Sequence, residues 1–234
     1  NYKVDQSFVN QMINASALDN GLHAGDLKFV DLDGNNKIEQ TTSANDRKDM
    51  KVIGNSLPRY NYNLGISADW YGIDFSVLFQ GIGKQNWYPG AETSMFWGPY
   101  SRPYASFIPS DFMSQVWSEE NSNAYFPRPR GYVALGSNRE LAVVNTKYLQ
   151  NLAYCRLKNL SIGYTLPDKW LSKIGFEKIR VYFSGENLLT FTKLHSDYID
   201  PEQASASNSW KTSKSDANIY PWAKTYSFGV DITF

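Results

Sequence analysis

Residues 60–70 read YNYNLGISADW, and their side chains alternate between two chemical types. Every even position from Tyr60 to Trp70 carries an apolar or aromatic side chain, whereas the odd positions hold Asn, Gly, Ser or Asp. Successive side chains of a β-strand point to opposite faces, so the segment predicts a strand with one apolar and one polar face. The pattern resumes from Ile73 to Phe79 after the link Tyr71-Gly72, which predicts a β-hairpin.

Three further segments show the same alternation. Residues 148–166 form a predicted third strand whose apolar phase reverses near Lys158, as a β-bulge would cause. Residues 179–191 make a less regular fourth strand, and residues 225–234, TYSFGVDITF, make a fifth that ends on Phe234. The alternation therefore predicts an all-β fold built from antiparallel strands.

The connections between these strands differ greatly in length. Those at 71–72 and 167–178 are short, whereas those at 85–147 and 192–223 are long. Long loops on one side and short turns on the other are typical of outer-membrane β-barrels, in which the apolar face meets lipid. In a soluble sandwich the same face would be the core, so both architectures stay open on periodicity alone.

A membrane barrel predicts a definite division of the chain. Five strands are too few to close one, because single-chain barrels have at least about 8, so further strands must complete it. The predicted segments are an extracellular loop region at 1–58, a barrel hairpin at 59–84, a long aromatic-rich extracellular loop at 85–147, two barrel strands at 148–191 with a periplasmic turn at 167–178, an extracellular loop at 192–223 and the final strand at 224–234.

Composition excludes several classes of protein. Lys and Arg number 23 against 23 Asp and Glu, so no net charge would recruit nucleic acid. No apolar run is long enough for a membrane-spanning helix, and Cys155 is the only cysteine, which excludes an intrachain disulfide. Because the sequence begins at Asn1, a processed product or a fragment is expected.

Several blocks in order along the chain carry a family resemblance. Together they are similar to the carboxy-terminal region of SusC/RagA-type TonB-linked outer membrane transporters. The blocks are GDLKFVDLDGNNKI (25–38), VIGNSLPRYNYNLGISADWYGIDFSVLFQGIG (52–83), YLQNLAYCRLKNLSIGYTLP (148–167), KIRVYFSGENLLTFT (178–192), DPE (200–202) and YPWAKTYSFGVDITF (220–234).

The resemblance implies the last five or so strands of a transmembrane barrel of about 22 strands with a plugged lumen. It also implies energy supplied through TonB, a SusD-like surface lipoprotein as partner, and import of oligosaccharides or peptides across the outer membrane of a Gram-negative, Bacteroidota-type bacterium. The remainder of the barrel and the lipid bilayer would be further partners, and no enzymatic activity is implied. The plug and TonB box of that family have no counterpart in this sequence.

One turn has the composition of a cation site. Asp31, Asp33, Asn35 and Glu39 place oxygen ligands at alternate positions, as at the start of a calcium loop. The match is partial, because an EF-hand requires Gly and Glu where Asn36 and Thr42 stand. The sequence predicts either bound Ca²⁺ at 31–39 or a turn stabilised by its own side chains.

The loop at 85–147 is rich in large rings. These rings could contact cargo or a lid protein, because they combine an apolar surface with polar groups at the edge. Alternatively, they pack the loop onto itself. The candidate contact residues are Trp87, Trp97, Tyr100, Tyr104 and Phe107.

Two other functions remain as alternatives. The first is a secreted β-sandwich carbohydrate-binding module, which the aromatic residues and the calcium-like turn favour. The second is a glycoside hydrolase fragment that uses a pair of carboxylates. The candidates are the adjacent Glu119 and Glu120, and the group Asp197, Asp200 and Glu202.

The final strand gives a test of orientation and of assembly. By analogy with the family, Tyr226, Phe228 and Phe234 form the barrel assembly signal. Arg at Val230 on the lipid face is expected to impair assembly, whereas Ser at Gly229 on the lumen face is expected to have a milder effect.

Overall fold

The chain folds into a sheet unit and a loop unit. The computed structural model describes residues 22–41, 43–102, 107–136, 140–171, 175–207 and 220–234. Of these described residues, those within 22–54 and 88–149, together with residue 207, belong to the loop unit, and those within 55–87, 150–206 and 220–234 belong to the sheet unit.

Antiparallel strands make up most of the sheet unit. Five of them form one sheet in the order β1-β2-β5-β6-β7, and β3 pairs with β4 separately. The strands are β1 (Arg59–Trp70), β2 (Ile73–Lys84), β3 (Asn86–Trp87), β4 (Gln150–Asn151), β5 (Tyr154–Thr165), β6 (Lys178–Thr192) and β7 (Thr225–Thr233). The short α-helices are α1 (Ser94–Trp97), α2 (Asp168–Leu171) and α3 (Pro201–Ser207), and 3-10 turns cover Gly98–Tyr100, Phe112–Gln115 and Gly131–Leu135.

The predicted hairpin is present, and its turn explains the sequence at 71–72. Tyr71 and Gly72 have φ values of 47° and 86°. Two positive φ angles are the signature of a type I′ turn, whose twist matches that of the flanking strands. The Gly72 carbonyl also accepts a hydrogen bond from Thr165 N at 2.7 Å, so this end of β5 is tied to the turn.

The phase reversal predicted near Lys158 is a break in strand register. The pairing of β5 shifts between Leu78 and Phe79 on one side and between Leu157 and Asn159 on the other. On β6, Asn187 lies close to this shift with φ of 52°. A bulge inserts an extra residue, so the apolar side chains of β5 return to one face on both sides of Lys158.

Two faces of opposite chemistry run across all five strands. One row of register partners consists of Ala68, Phe75, Ile162, Phe183 and Phe228. The adjacent row, one residue along each strand, consists of Ser67, Ser76, Ser161, Ser184 and Ser227. The alternation seen in single strands therefore sums to a continuous apolar face and a continuous polar face.

Much of the apolar face is exposed, above all on the outer strands, although Val77 and Leu157 of the inner strands are buried. Leu64, Ile66 and Val230 are each at least half exposed, and Phe228 is 83% exposed. A sandwich core would bury these side chains against a second sheet, whereas the only other sheet among the described residues is the pair of two-residue strands β3 and β4. The sandwich alternative is therefore wrong for this part of the chain.

The third strand begins later than its sequence pattern predicts. Residues 150–151 pair with β3, and β5 starts only at Tyr154. Between them, Leu152 N donates to the Gln85 carbonyl and Ala153 N to Asn151 Oδ1. The Leu152 bond continues the pairing of the two chain segments, whereas the Ala153 N–H is taken by a side chain, so the ladder is interrupted at Ala153.

Among the described residues, no helix has both the length and the apolar character needed to cross a membrane.

Candidate functional site

An arginine crosses one strand on the polar face of the sheet. Arg180 of β6 donates to both oxygens of Asp74 on β2, from Nε at 2.8 Å and Nη2 at 2.6 Å. Its Nη1 reaches Asp231 of β7 at 3.2 Å. The intervening β5 has Gly163 here, where a Cβ would lie 2.4 Å from Asp74 Oδ1. Glycine is therefore required where the guanidinium passes over the sheet.

The ring of Tyr182 covers the backbone of Gly229. A Cβ on Gly229 would lie 2.3 Å from Cζ of the ring, whose other neighbour is the Arg180 guanidinium, 4.8 Å from the ring centroid. Ser at Gly229 therefore requires the Tyr182 ring to move, and the expectation that it is milder than Arg at Val230 stays a prediction. Glycines covered by neighbouring aromatic rings are a known device for stabilising sheets.

Two of the carboxylates considered for glycoside hydrolysis, Asp200 and Glu202, are held by basic residues. Asp200 Oδ2 accepts a hydrogen bond from Arg156 Nη2 at 2.7 Å, and Glu202 Oε2 accepts one from Arg156 Nη1 at 2.7 Å. Lys158 Nζ lies 2.9 Å from the same Glu202 oxygen. Both groups are thus committed to ion pairs, and we call Arg156, Lys158, Asp200 and Glu202 the Arg156 cluster.

The turn predicted to bind a cation gathers three carboxylates. Oxygens of Asp31, Asp33 and Asp49 lie within 4.8 Å of one another. Glu39, predicted as a ligand, is not in this group, since its carboxylate accepts from Asn35 Nδ2 at 3.3 Å and lies 3.8 Å from Lys48 Nζ. Asp49 is the third carboxylate of the group instead. The sequence pattern did not predict it, because the calcium-loop motif ends before residue 49.

The same carboxylates already stabilise the turn itself. Asp31 accepts backbone N–H groups of Gly34 and Asn36, and Asp49 accepts those of Leu32 and Glu39. Desolvation would raise the pKa of Asp31, but these backbone hydrogen bonds outweigh it and hold the pKa below its usual value. The donor set suits a hard cation, and the bonds within the turn equally fit the alternative of a self-stabilised turn.

The rings of the long loop form a core. Trp97 is fully buried and packs edge-on against Phe96 and Tyr148, at centroid distances of 4.8 and 5.2 Å. Tyr100 is also buried and donates from its hydroxyl to the Pro127 carbonyl at 2.5 Å. Burial also raises the pKa of Tyr100 far above its ordinary value. These two residues therefore pack the loop unit onto itself, as the alternative interpretation held.

The other candidate contact residues differ from one another. Trp87, in β3 of the sheet unit, is buried, so its ring offers no face to a ligand. Phe107 is 40% exposed and stays a candidate contact. Tyr104 lies outside the described residues.

Two arginines attach the segment 126–130 to other segments of the loop unit. Arg128 Nε donates to Asp26 Oδ1 at 2.6 Å, and Arg130 Nη1 donates to Glu140 Oε1. Burial raises the pKa of Glu140, although the nearby Arg130 charge opposes the rise. Glu140 Oε2 is buried and accepts no hydrogen bond, so Arg130 is the main compensation for this charge.

The predicted assembly residues lie on the exposed strand β7 and beyond it. Tyr226 and Phe228 point from the apolar face and approach Phe183, whose ring centroid lies 5.2 Å from that of Phe228. Phe234 is 82% exposed and packs against Phe176 at 5.2 Å. All three rings are therefore available to another surface.

Comparison with known sequences places these features in a class of protein. TonB-dependent receptor P3 of Formosa agariphila is 31% identical over 212 residues, which are 88% of this chain and 19% of that receptor. TonB-dependent receptor SusC of Bacteroides thetaiotaomicron is 26% identical over 136 residues, 55% of this chain and 12% of SusC. The chain thus spans about a fifth or less of the length of these curated relatives. No protein-family model matches the chain.

Solved structures agree on the fold. The RagAB peptide importer in its open-open state aligns with a TM-score of 0.53 at 20% identity, over 90% of this chain and 21% of the importer chain. The structure of the RagAB peptide transporter aligns with a TM-score of 0.53 at 22% identity, over 84% of this chain and 19% of that chain.

An antiparallel sheet with an exposed apolar face, together with these relatives, defines an outer-membrane β-barrel protein of the TonB-dependent class. More particularly, the chain belongs to the SusC/RagA-type TonB-dependent transporters.

Proposed function

We propose that this chain supplies part of the barrel wall of a TonB-dependent importer in the outer membrane of a Gram-negative, Bacteroidota-type bacterium. The observation that carries the proposal is the apolar face that runs across all five strands and is exposed. Exposing so much apolar surface to water is unfavourable, whereas lipid accepts it. The polar face, with its row of serines, then lines the lumen.

Orientation and strand number follow from the same proposal. The barrel has about 22 strands, to which this chain contributes five, and it holds a plug in its lumen. The short turns at 71–72 and 167–178 face the periplasm, and the long connections at 85–147 and 192–223 face the outside. A SusD-like lipoprotein covers the outer end, and TonB supplies energy through a plug domain.

The cargo class is an oligosaccharide or a peptide. The RagAB protein that aligns with this chain is a peptide importer, but at 20% identity the likeness concerns the fold, so both cargo classes are kept. A lumen wall of hydroxyl, amide and glycine residues can hydrogen-bond to either cargo.

Deletion and uptake test the function. The gene for the full-length transporter is deleted in its own bacterium, and growth is measured on panels of oligosaccharides and peptides as sole nutrients. We expect loss of growth on one panel, restored by the intact gene and not by the gene without its TonB box. Unchanged growth on every nutrient would contradict an importing role, as would full-length protein that fractionates without detergent.

The assembly role of the rings on and just after β7 is a separate proposal. Tyr226, Phe228 and Phe234 are exposed, so insertion machinery could contact them. Deleting Phe234 in the full-length protein should lower the amount of folded transporter in the outer membrane, measured by heat-dependent migration on gels. Removing the exposed Phe107 instead should leave that amount unchanged. Equal amounts with and without Phe234 would refute the role.

We also propose Ca²⁺ at the turn, with Asp31, Asp33 and Asp49 as its ligands. The Lys48 ammonium is a positive charge near the turn that would compete with a bound cation. It lies 3.2 Å from Asp46, whose hydrogen bond and charge raise the pKa of Lys48. Calcium titration of the full-length protein, followed by calorimetry, should give binding that Asp49→Asn removes and Lys48→Met strengthens. Identical titrations of all three proteins would contradict the site.

A further inference from the structure

One carboxylate ties together three parts of the sheet unit. Asp200 Oδ1 accepts the backbone N–H groups of Glu202 and Gln203 at 2.9 and 3.3 Å, at the start of α3. Its Oδ2 accepts Arg156 Nη2 of β5 at 2.7 Å and the backbone N–H of Trp222 at 3.3 Å. The start of the loop after β6 and its end are thereby fixed to the same strand.

Positive and negative charges are balanced in the Arg156 cluster, to which this carboxylate belongs. Arg156 and Asp200 side chains are only 3% and 4% exposed, and Arg156 Nε also donates to Thr190 Oγ1 at 2.9 Å. Two cationic side chains face two carboxylates, and each is within ion-pair distance of an opposite charge. The cluster offers no unpaired charge to a ligand, because each carboxylate is already matched.

The cluster presents an aromatic ring. Lys158 Nζ lies 5.0 Å from the centroid of the Trp222 ring, and the Trp222 backbone is held by Asp200. Even so, Trp222 is 49% exposed. The register partners of Arg156 are Gln80 and Thr190 on the polar face, so the cluster lies on that side of the sheet. A large ring that is held in place and left in water is suited to contact with a ligand.

We propose that Trp222 is a stacking platform for a neutral saccharide ring of the imported cargo. A pyranose presents a flat C–H face that packs on an indole, and a neutral sugar carries no charge that would need a partner in the cluster. A peptide carries charged termini, and the cluster has no free charge to pair with them. The proposal rests on the proposed importing function and adds a residue and a cargo class to it.

Uptake by the full-length transporter in its own bacterium tests the platform. Neutral oligosaccharides and peptides are supplied separately, and the cargo is the class whose uptake is lost on gene deletion. For Trp222→Ala we expect the concentration at half-maximal uptake to rise about tenfold, with maximal uptake and surface abundance retained. Trp222→Phe keeps a flat ring and should restore most of the affinity.

The matched control is Trp170→Ala. Trp170 is also exposed, but it lies in α2, in the turn at the opposite end of β5 and β6. Its removal should leave the half-maximal concentration unchanged. If Trp222→Ala does not reach the surface, Trp222→Leu replaces it, because leucine keeps apolar volume without a flat ring. Equal uptake by the Leu and Phe variants would overturn the platform.

The remaining outcomes separate the two proposals. Saccharide uptake that needs the transporter but is unaffected by Trp222→Ala overturns the platform and leaves the importer intact. Dependence on peptides alone also overturns the platform and leaves the importer intact. Uptake of neither class through the transporter overturns both.

Discussion

Gly229 and Val230 are neighbours on β7 whose environments lie on opposite faces of the sheet. Val230 pairs with Val181 on the exposed apolar face, whereas Gly229 lies under the Tyr182 ring. A substitution at either position is therefore penalised, but for different physical reasons. One inserts charge into lipid, and the other forces two groups into the same space.

Val230→Arg and Gly229→Ser should both lower barrel stability. Arginine at mid-bilayer costs about 2–4 kcal/mol. Serine at Gly229 must displace the Tyr182 ring, and Tyr182→Ala should relieve that clash without helping Val230→Arg. Urea-dependent unfolding of the full-length protein in lipid vesicles measures each effect. Failure of Tyr182→Ala to rescue Gly229→Ser would contradict the predicted steric cause.

Asn187 adopts a backbone conformation that most residues avoid. Its φ of 52° is left-handed, and its Nδ2 donates to the Ala223 carbonyl at 3.2 Å. Asn and Gly accept this conformation, but a β-branched residue does so only under strain. We expect Asn187→Val to destabilise the barrel by about 1–3 kcal/mol and Asn187→Gly to cost less, as measured by the same unfolding assay. Equal costs would show that the side-chain hydrogen bond, rather than the backbone, decides.

At the scale of elements, the segment 126–130 depends on its two arginine pairs. Glu140 is almost fully buried, and Arg130 is the cation that faces it. Removing one member of a buried ion pair typically costs about 3–5 kcal/mol, whereas replacing both members with apolar residues is often neutral. Arg130→Met should therefore destabilise the folded loop unit. Arg130→Met combined with Glu140→Leu should restore most of its stability.

The raised pKa of Glu140 predicts how the stability of the Arg130→Met variant depends on pH. Burial raises its pKa above that of the unfolded chain, and loss of Arg130 removes an opposing influence. The folded loop then holds the proton more tightly, so stability is retained at low pH and lost as the pH rises through the folded pKa. Hydrogen exchange of residues 140–149, corrected for intrinsic rates, should show more opening of Arg130→Met at high pH. The double variant should not change with pH, and a parallel response in both would contradict the assignment.

Sequence reasoning succeeded where the physical signal is local. Alternation along β1 and β7 depends only on neighbouring residues, so strand identity and the two faces could be predicted. The pairing of Arg180 with Asp74 joins residues 106 positions apart, and the need for Gly163 beneath it follows only from the register. Nothing in the sequence near any of these three residues signals the arrangement.

The prediction of the contact and ligand residues was less successful, for a different reason. A loop rich in rings is compatible with a binding surface or with a small core, because aromatic residues serve both roles. Trp97 and Tyr100 belong to the core, and the exposed Trp222 lies in a different segment. Likewise, Asp49 joins the turn at 31–36 through backbone bonds that no spacing rule predicts.

At the scale of the whole molecule, the sheet has two outer strands, β1 and β7, each paired on one side among the described residues. Lipid cannot satisfy the backbone groups of an open edge, so a membrane barrel must pair both. The apolar face is stable in lipid, whereas the unpaired backbone groups of the two edges are not stable there until further strands pair with them. Only closure with the rest of a barrel meets both.

Split expression tests closure directly. The 234-residue chain, exported alone, should give no folded band that resists detergent before heating, since its edges remain open. Exported together with the remaining part of the transporter as a second chain, it should form a heat-sensitive complex that contains both pieces. Val230→Arg in the shorter piece should reduce that complex, whereas Trp170→Ala should not. A stable, detergent-resistant monomer of the isolated chain would show that these strands satisfy their own edges, and the barrel-wall assignment would then fail.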